Sequence, residues 1–104
     1  MKLQIGQTLS DTLDIQKGRS FVDSDFIFRK GSEIPVILGS DYDGIYTIGD
    51  TFGLEYLYDN YFFKVMGILK KGSEISLNMK YYLDKSIVMP FLQYLIMLNY
   101  QMVK

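Results

Sequence analysis

The 104 residues predict a β-rich α+β domain: a mainly antiparallel sheet or small, partly open barrel, with short helical segments and a C-terminal amphipathic helix. Three observations lead there. Nine Tyr and seven Phe with no Trp favour pleated, half-buried surfaces. Most apolar runs are of strand length and end at Gly, Asp-Asn or Lys-Lys-Gly-Ser. Helical spacing of apolar residues is sustained only near the C-terminus.

In chain order, Leu3 and Ile5 suit a first strand. Ser10 is placed to cap a short helical turn carrying Leu13, and Phe21, Phe26 and Phe28 need a core to enter. Ile34 to Gly39, IPVILG, is a continuous apolar run closed by glycine, which predicts a strand buried on both faces near the middle of a sheet. Phe52 to Tyr58 and Tyr61 to Leu69 flank Asp59-Asn60, a pair suited to a tight turn, and predict a hairpin with Phe63, Val65, Gly67 and Leu69 on one face. Glu74 to Lys80 alternates, so Ile75, Leu77 and Met79 should point inward. A last strand spans Ser86 to Met89. From Pro90 a helix follows, with Phe91, Leu95, Leu98 and Met102 on one stripe. The eighteen residues from Ser86 to Val103 carry no charge, near the lower limit for a membrane span. Pro90, Gln93, Asn99, Gln101 and the periodicity favour a packed helix instead.

One domain fits this length, with a single core. A net charge of −1 gives no basic footprint for nucleic acid. With no Cys there is no disulfide, thiolate nucleophile or cysteine zinc site, and with no His the usual neutral-pH base and commonest transition-metal ligand are missing. No phosphate-binding or nucleophile-elbow motif occurs. The N-terminal MKLQIGQTLSDTL lacks an apolar run long enough for an export signal.

Leu38 to Phe52, LGSDYDGIYTIGDTF, concentrates Asp41, Asp43 and Asp50. An EF-hand loop starting at Asp41 would need a ligand where Ile45 stands, glycine where Tyr46 stands and glutamate where Phe52 stands, so the calcium pattern fails. The segment therefore reads as scaffold. Ser40 or Asp41 caps a helical turn through Tyr42 to Tyr46, and Gly49-Asp50 turns into the next strand with Asp50 bonding turn amides. No catalytic, cofactor-binding or metal residue is assigned. An enzyme alternative would need two of these carboxylates to converge in a pocket.

The order GRSF, DF, IPVILG, a segment ending IGDTF, FKVMGILKKGS and LDKSIVMPF resembles the extracytoplasmic core domain of MacB-like ABC transporter permeases, a group that includes FtsX-type and lipoprotein-releasing permeases. The likeness runs from about Leu13 to Phe91. Its matched positions are Gly18, Arg19, Phe21, Asp25, Phe26, Gly39, Gly49, Asp50, Val65, Gly67 and Pro90. The resemblance implies a non-catalytic fragment of a larger membrane permease, held outside the cell membrane in the extracellular or periplasmic space. Through the rest of the permease it would couple to a cytoplasmic ATPase subunit while contacting a peptide, lipoprotein, antibiotic or cell-wall protein. The chain is shorter than the full external domain of such permeases, so their two-lobed architecture is not carried over.

Each matched position also has a physical reading. Gly39 and Gly49 suit a close backbone approach or a positive φ, and Gly67 suits a bulge or room for a ring. Arg19 is expected to pair with Asp23 or Asp25. Tyr56, Tyr58, Tyr61, Tyr81 and Tyr82 gather around one hairpin and the loop that follows. They form either a partner surface or cover for the sheet's own edges. A stand-alone β-rich interaction module is the alternative to the permease domain.

Overall fold

The computed structural model describes residues 2–27, 32–56, 59–76 and 79–90. Over these it is a small, strand-rich domain with a mixed sheet and few helices. The strands are β1 (Lys2–Ile5), β2 (Ile15–Gly18), β3 (Ile34–Leu38), β4 (Thr51–Tyr56), β5 (Asp59–Leu69), β6 (Glu74–Ser76), β7 (Lys80–Tyr82) and β8 (Ile87–Pro90). One α-helical turn, α1 (Gln7–Ser10), follows β1, and 3-10 turns occupy Asp23–Phe26 and Ser40–Tyr42. Six strands form one sheet in the order β1-β8-β3-β5-β2, with β4 also on β5; β6 and β7 form a separate two-stranded sheet. Pairings β1–β8 and β3–β5 are parallel, and the others are antiparallel.

IPVILG behaves as its composition predicts. β3 lies between β5 and β8, and Val36, Ile37 and Leu38 are fully buried. Successive side chains on a strand point to opposite faces, so burial of all three requires cover on both. Ile34, Val36 and Leu38 join Phe63, Val65, Ile68 and Met89 on one face. Ile37 joins Ile5, Phe21, Leu69, Ile75, Leu83 and Val88 on the other. Tyr42, Tyr46 and Phe52 help cover the first face, and Leu9, Leu13, Ile15 and Phe26 help cover the second. Two of the N-terminal phenylalanines thus find their core: Phe21 is buried and meets Phe26 edge to face at 5.9 Å.

Several sequence expectations are corrected. The alternation predicted along β5 breaks because β3 pairs Val36 with Val65 but Ile37 with Gly67, which leaves Met66 as an inserted residue. Such a bulge moves every later side chain to the opposite face. Ile68 therefore continues the face of Phe63 and Val65, while Leu69 turns to the other core. The β4–β5 hairpin exists, but Tyr56 pairs with Asp59, so Asp59 and Asn60 already belong to β5.

Glu74 to Lys80 is two strands of a hairpin rather than one strand. Ile75 is buried as expected, but Met79 precedes β7 and is 67% exposed. Ser10 closes α1 instead of opening it, donating its hydroxyl to the Gln7 carbonyl at 2.8 Å. β2, unassigned from sequence, is added to β5 beyond β4. Pro90 ends β8 opposite Ile5, at a point where β3 no longer pairs, a strand-end position that tolerates proline. Phe28, Tyr58 and Leu77 lie outside the described residues, as does the helix expected after Pro90.

Truncating Leu38 removes a side chain enclosed by neighbours that cannot collapse freely. Leu38→Ala should cost about 3 kcal/mol in urea unfolding, whereas Ile45→Ala, at a 69% exposed position, should stay within about 0.5 kcal/mol.

Candidate functional site

Several of the residues singled out in the sequence converge on the bulge at Met66. On one side Gly18 ends β2 with φ +76, and a Cβ there would lie 2.1 Å from the Met66 carbonyl oxygen. The chain then continues past β5, and the Arg19 N–H donates to that same carbonyl at 3.0 Å. A Cβ on Gly67 would lie 2.6 Å from the Arg19 carbonyl oxygen. Both glycines are required because two backbones touch here. The neighbour that excludes a side chain at Gly67 is a carbonyl, not a ring. Across the junction, the Gly49 N–H donates to the Val65 carbonyl, and the Val65 N–H donates to the Asp50 carbonyl, both at 2.8 Å. Gly49 has φ +95, as a tight turn requires.

Arg19 then fixes the segment that leads away. Its guanidinium donates to Asp25 Oδ2 at 2.7 Å and to the Ser20 carbonyl at 2.9 Å, and the Val22 N–H donates to the same Asp25 oxygen at 2.9 Å. Asp25 is thus the partner chosen between the two expected. This geometry ties the GRSF segment to the 3-10 turn that sets Phe26 against Phe21.

The three aspartates of residues 38–52 go separate ways. Asp50 accepts the Thr47 N–H at 2.9 Å and its hydroxyl at 3.1 Å, the turn-closing role expected of it. Asp43 pairs with Lys17 of β2 at 2.7 Å. Asp41 lies in the 3-10 turn, where its N–H donates to the Asp84 carbonyl at 2.9 Å. The helical turn lies earlier than expected, over Ser40–Tyr42 with Gly39 at its N-cap and no side-chain cap. Ser40 instead donates its hydroxyl to Asp84 Oδ1 at 3.0 Å. Between these polar groups the rings point inward: Tyr42, Tyr46, Phe52 and Phe63 form a run of contacts with centroids 6.1, 5.4 and 5.6 Å apart. Among the described residues, no three acidic side chains are placed to hold a metal ion.

Asp84 is a structural side chain that the sequence reading missed. It accepts from Ser40 and from the Gly72 N–H at 2.9 Å, joining the turn after β3 to the turn after β5. A Cβ on Gly39 would lie 2.0 Å from the Leu83 carbonyl oxygen, so this second junction also needs a glycine. The Asp-Lys pair before a strand signals a turn. Nothing local reveals partners 12 and 44 residues away.

The tyrosines divide. Tyr61 packs its ring against the core cluster of Phe63 and Val65. Tyr81 and Tyr82 lie on β7, in the other sheet, and both are exposed. Tyr56 ends β4; Tyr58 is outside the described residues. A shallow depression of about 400 Å³ is lined by Asp25, Ser32, Glu33, Pro35, Lys64 and Met66. None of Asp41, Asp43 and Asp50 enters it, and the Asp25 carboxylate is directed to Arg19 and Val22. No family model, curated protein or solved structure matches the chain.

The Met66 junction leaves no room for a methyl group. Gly18→Ala should cost about 3 kcal/mol or more in urea unfolding, by clash and by its positive φ. Gly6→Ala, with nothing within 4 Å, should cost less than about 1 kcal/mol.

Proposed function

We propose that the chain is the non-catalytic extracytoplasmic domain of an ABC transporter permease of the MacB-like group. In this reading the domain stands outside the cell membrane, contacts a peptide, lipoprotein or cell-wall protein, and transmits to it the motion driven by a cytoplasmic ATPase through the remainder of the permease. The observation that supports it is spatial. Of the eleven positions that carry the sequence resemblance, Gly18, Arg19, Asp25, Gly49, Asp50, Val65 and Gly67 are spread over fifty residues of chain yet meet around one bulge or bond to a residue there. Phe21, Phe26, Gly39 and Pro90 stand elsewhere in the fold.

Coupling of this kind needs a body that moves as a unit. Two junctions without slack, at Met66 and at Asp84, provide one. Among the described residues no helix is long and apolar enough to cross a membrane. Tyr82, exposed on β7, offers the partner a broad ring with a polar tip.

Topology is tested on the complete gene product in its own cells, with native cysteines replaced and Lys71→Cys introduced on the exposed turn after β5. A membrane-impermeant maleimide should label this site in intact cells. Labelling only after lysis would refute the placement and favour a stand-alone interaction module. In the same complete protein, Tyr82→Ser should lower partner capture several-fold while shifting the melting temperature by less than about 2 °C, because a surface ring contributes little to folding. Tyr61→Ser should instead lower the melting temperature.

A further inference from the structure

The outer edge of β4 carries a second inference, independent of the permease assignment. β4 pairs with β5 alone among the described residues. An exposed strand edge presents a row of backbone donors and acceptors, and proteins usually guard it with charged side chains, Pro or a bulge. The six residues of β4, TFGLEY, contain no Pro and no bulge in their pairing with β5, and carry a single charge, Glu55.

At the centre of this edge stands Gly53, paired with Phe62 of β5. The Phe62 ring leans over the glycine, 3.5 Å from where a Cβ would be, and the residue is 67% exposed. On the same face Thr51 pairs with Lys64, and Glu55 with Asn60. Strand pairing about a two-fold axis through Gly53 would set Gly53 against Gly53 of a second copy and Glu55 against its Thr51. The rows across the four-stranded assembly would then read Asn60-Glu55-Thr51-Lys64, Phe62-Gly53-Gly53-Phe62 and Lys64-Thr51-Glu55-Asn60.

Both flanking rows bring a glutamate of one copy to a lysine of the other across a threonine, about two strand spacings or 10 Å apart, within reach of two long side chains. In the middle row the backbones carrying the two Phe62 rings stand about three spacings or 14 Å apart, and each ring already leans toward the other over glycine. We propose that β4 is a self-association edge, on which a second copy of this chain pairs antiparallel about Gly53 to form a continuous sheet and cover Phe62. An unrelated extended peptide would gain the backbone bonds but neither the charge match nor the ring contact.

Sedimentation equilibrium of the 104-residue chain, over concentrations up to about 1 mM, should show a monomer–dimer equilibrium. Phe62→Ser and Glu55→Lys, both on the exposed face, should each weaken the dimer at least tenfold with unchanged circular dichroism. Glu55→Lys combined with Lys64→Glu should restore it. Because the chain has no cysteine, Gly53→Cys provides a register test: mild oxidation should give a disulfide-linked dimer, since paired Cα atoms on adjoining antiparallel strands lie within disulfide range. Lys71→Cys should not cross-link. A chain that stays monomeric throughout, a dimer insensitive to Phe62 and Glu55, or equal cross-linking from both cysteine variants would each overturn the proposal.

Discussion

The inserted residue at Met66 is the constraint on which most of this molecule depends. A strand that kept strict alternation would place Val65, Gly67 and Leu69 on one side and leave the opposite core without Leu69. By adding one residue, β5 contributes Phe63, Val65 and Ile68 to one core and Leu69 to the other, so a single eleven-residue strand belongs to both hydrophobic clusters. The cost is an irregular backbone whose polar groups must be satisfied. The Met66 carbonyl takes the N–H of Arg19, and Val65 exchanges hydrogen bonds with Gly49 and Asp50. These contacts in turn exclude side chains at Gly18 and Gly67.

Around that junction the stretch from Leu38 to Phe52 acts as a wall with two kinds of lining. Its rings cover the sheet, and its carboxylates face outward or close turns. Separating the acids among Lys17, Thr47 and the protein surface avoids the mutual repulsion that three neighbouring carboxylates would otherwise produce. Asp84 ties the start of that stretch to the turn after β5, where one carboxylate oxygen receives both a hydroxyl and a backbone amide.

What could be read from the residues was whatever depends on short-range pattern. The apolar run IPVILG announced a central strand because only a strand covered on both sides tolerates it. Asp50 and Gly49 announced a turn by composition, and Arg19 announced a carboxylate partner within six residues. The bulge was only half legible: Gly67 marked an irregularity, but the direction of the slip is set by pairing with β3 and cannot be seen in β5 alone. β2 was missed because IQKG has one apolar residue, and its stability comes from β5 rather than its own burial. Met79 was misplaced because the end of β6 depends on a reversal that leaves alternation intact in the letters while ending it in space. Asp84 was missed because its partners are brought to it by the fold.

β1 and β8 lie side by side and run in the same direction, from Lys2 opposite Ile87 to Ile5 opposite Pro90. Tension applied to the chain before β1 and after β8 would therefore drag the two strands past each other along their length. Their shared bonds would bear the load together instead of parting one by one from an end. Under force, lifetime is governed by the unfolding barrier rather than by equilibrium stability. A parallel pairing of β1 with β8 would make this small domain resist tension applied across those two strands as a mechanical clamp.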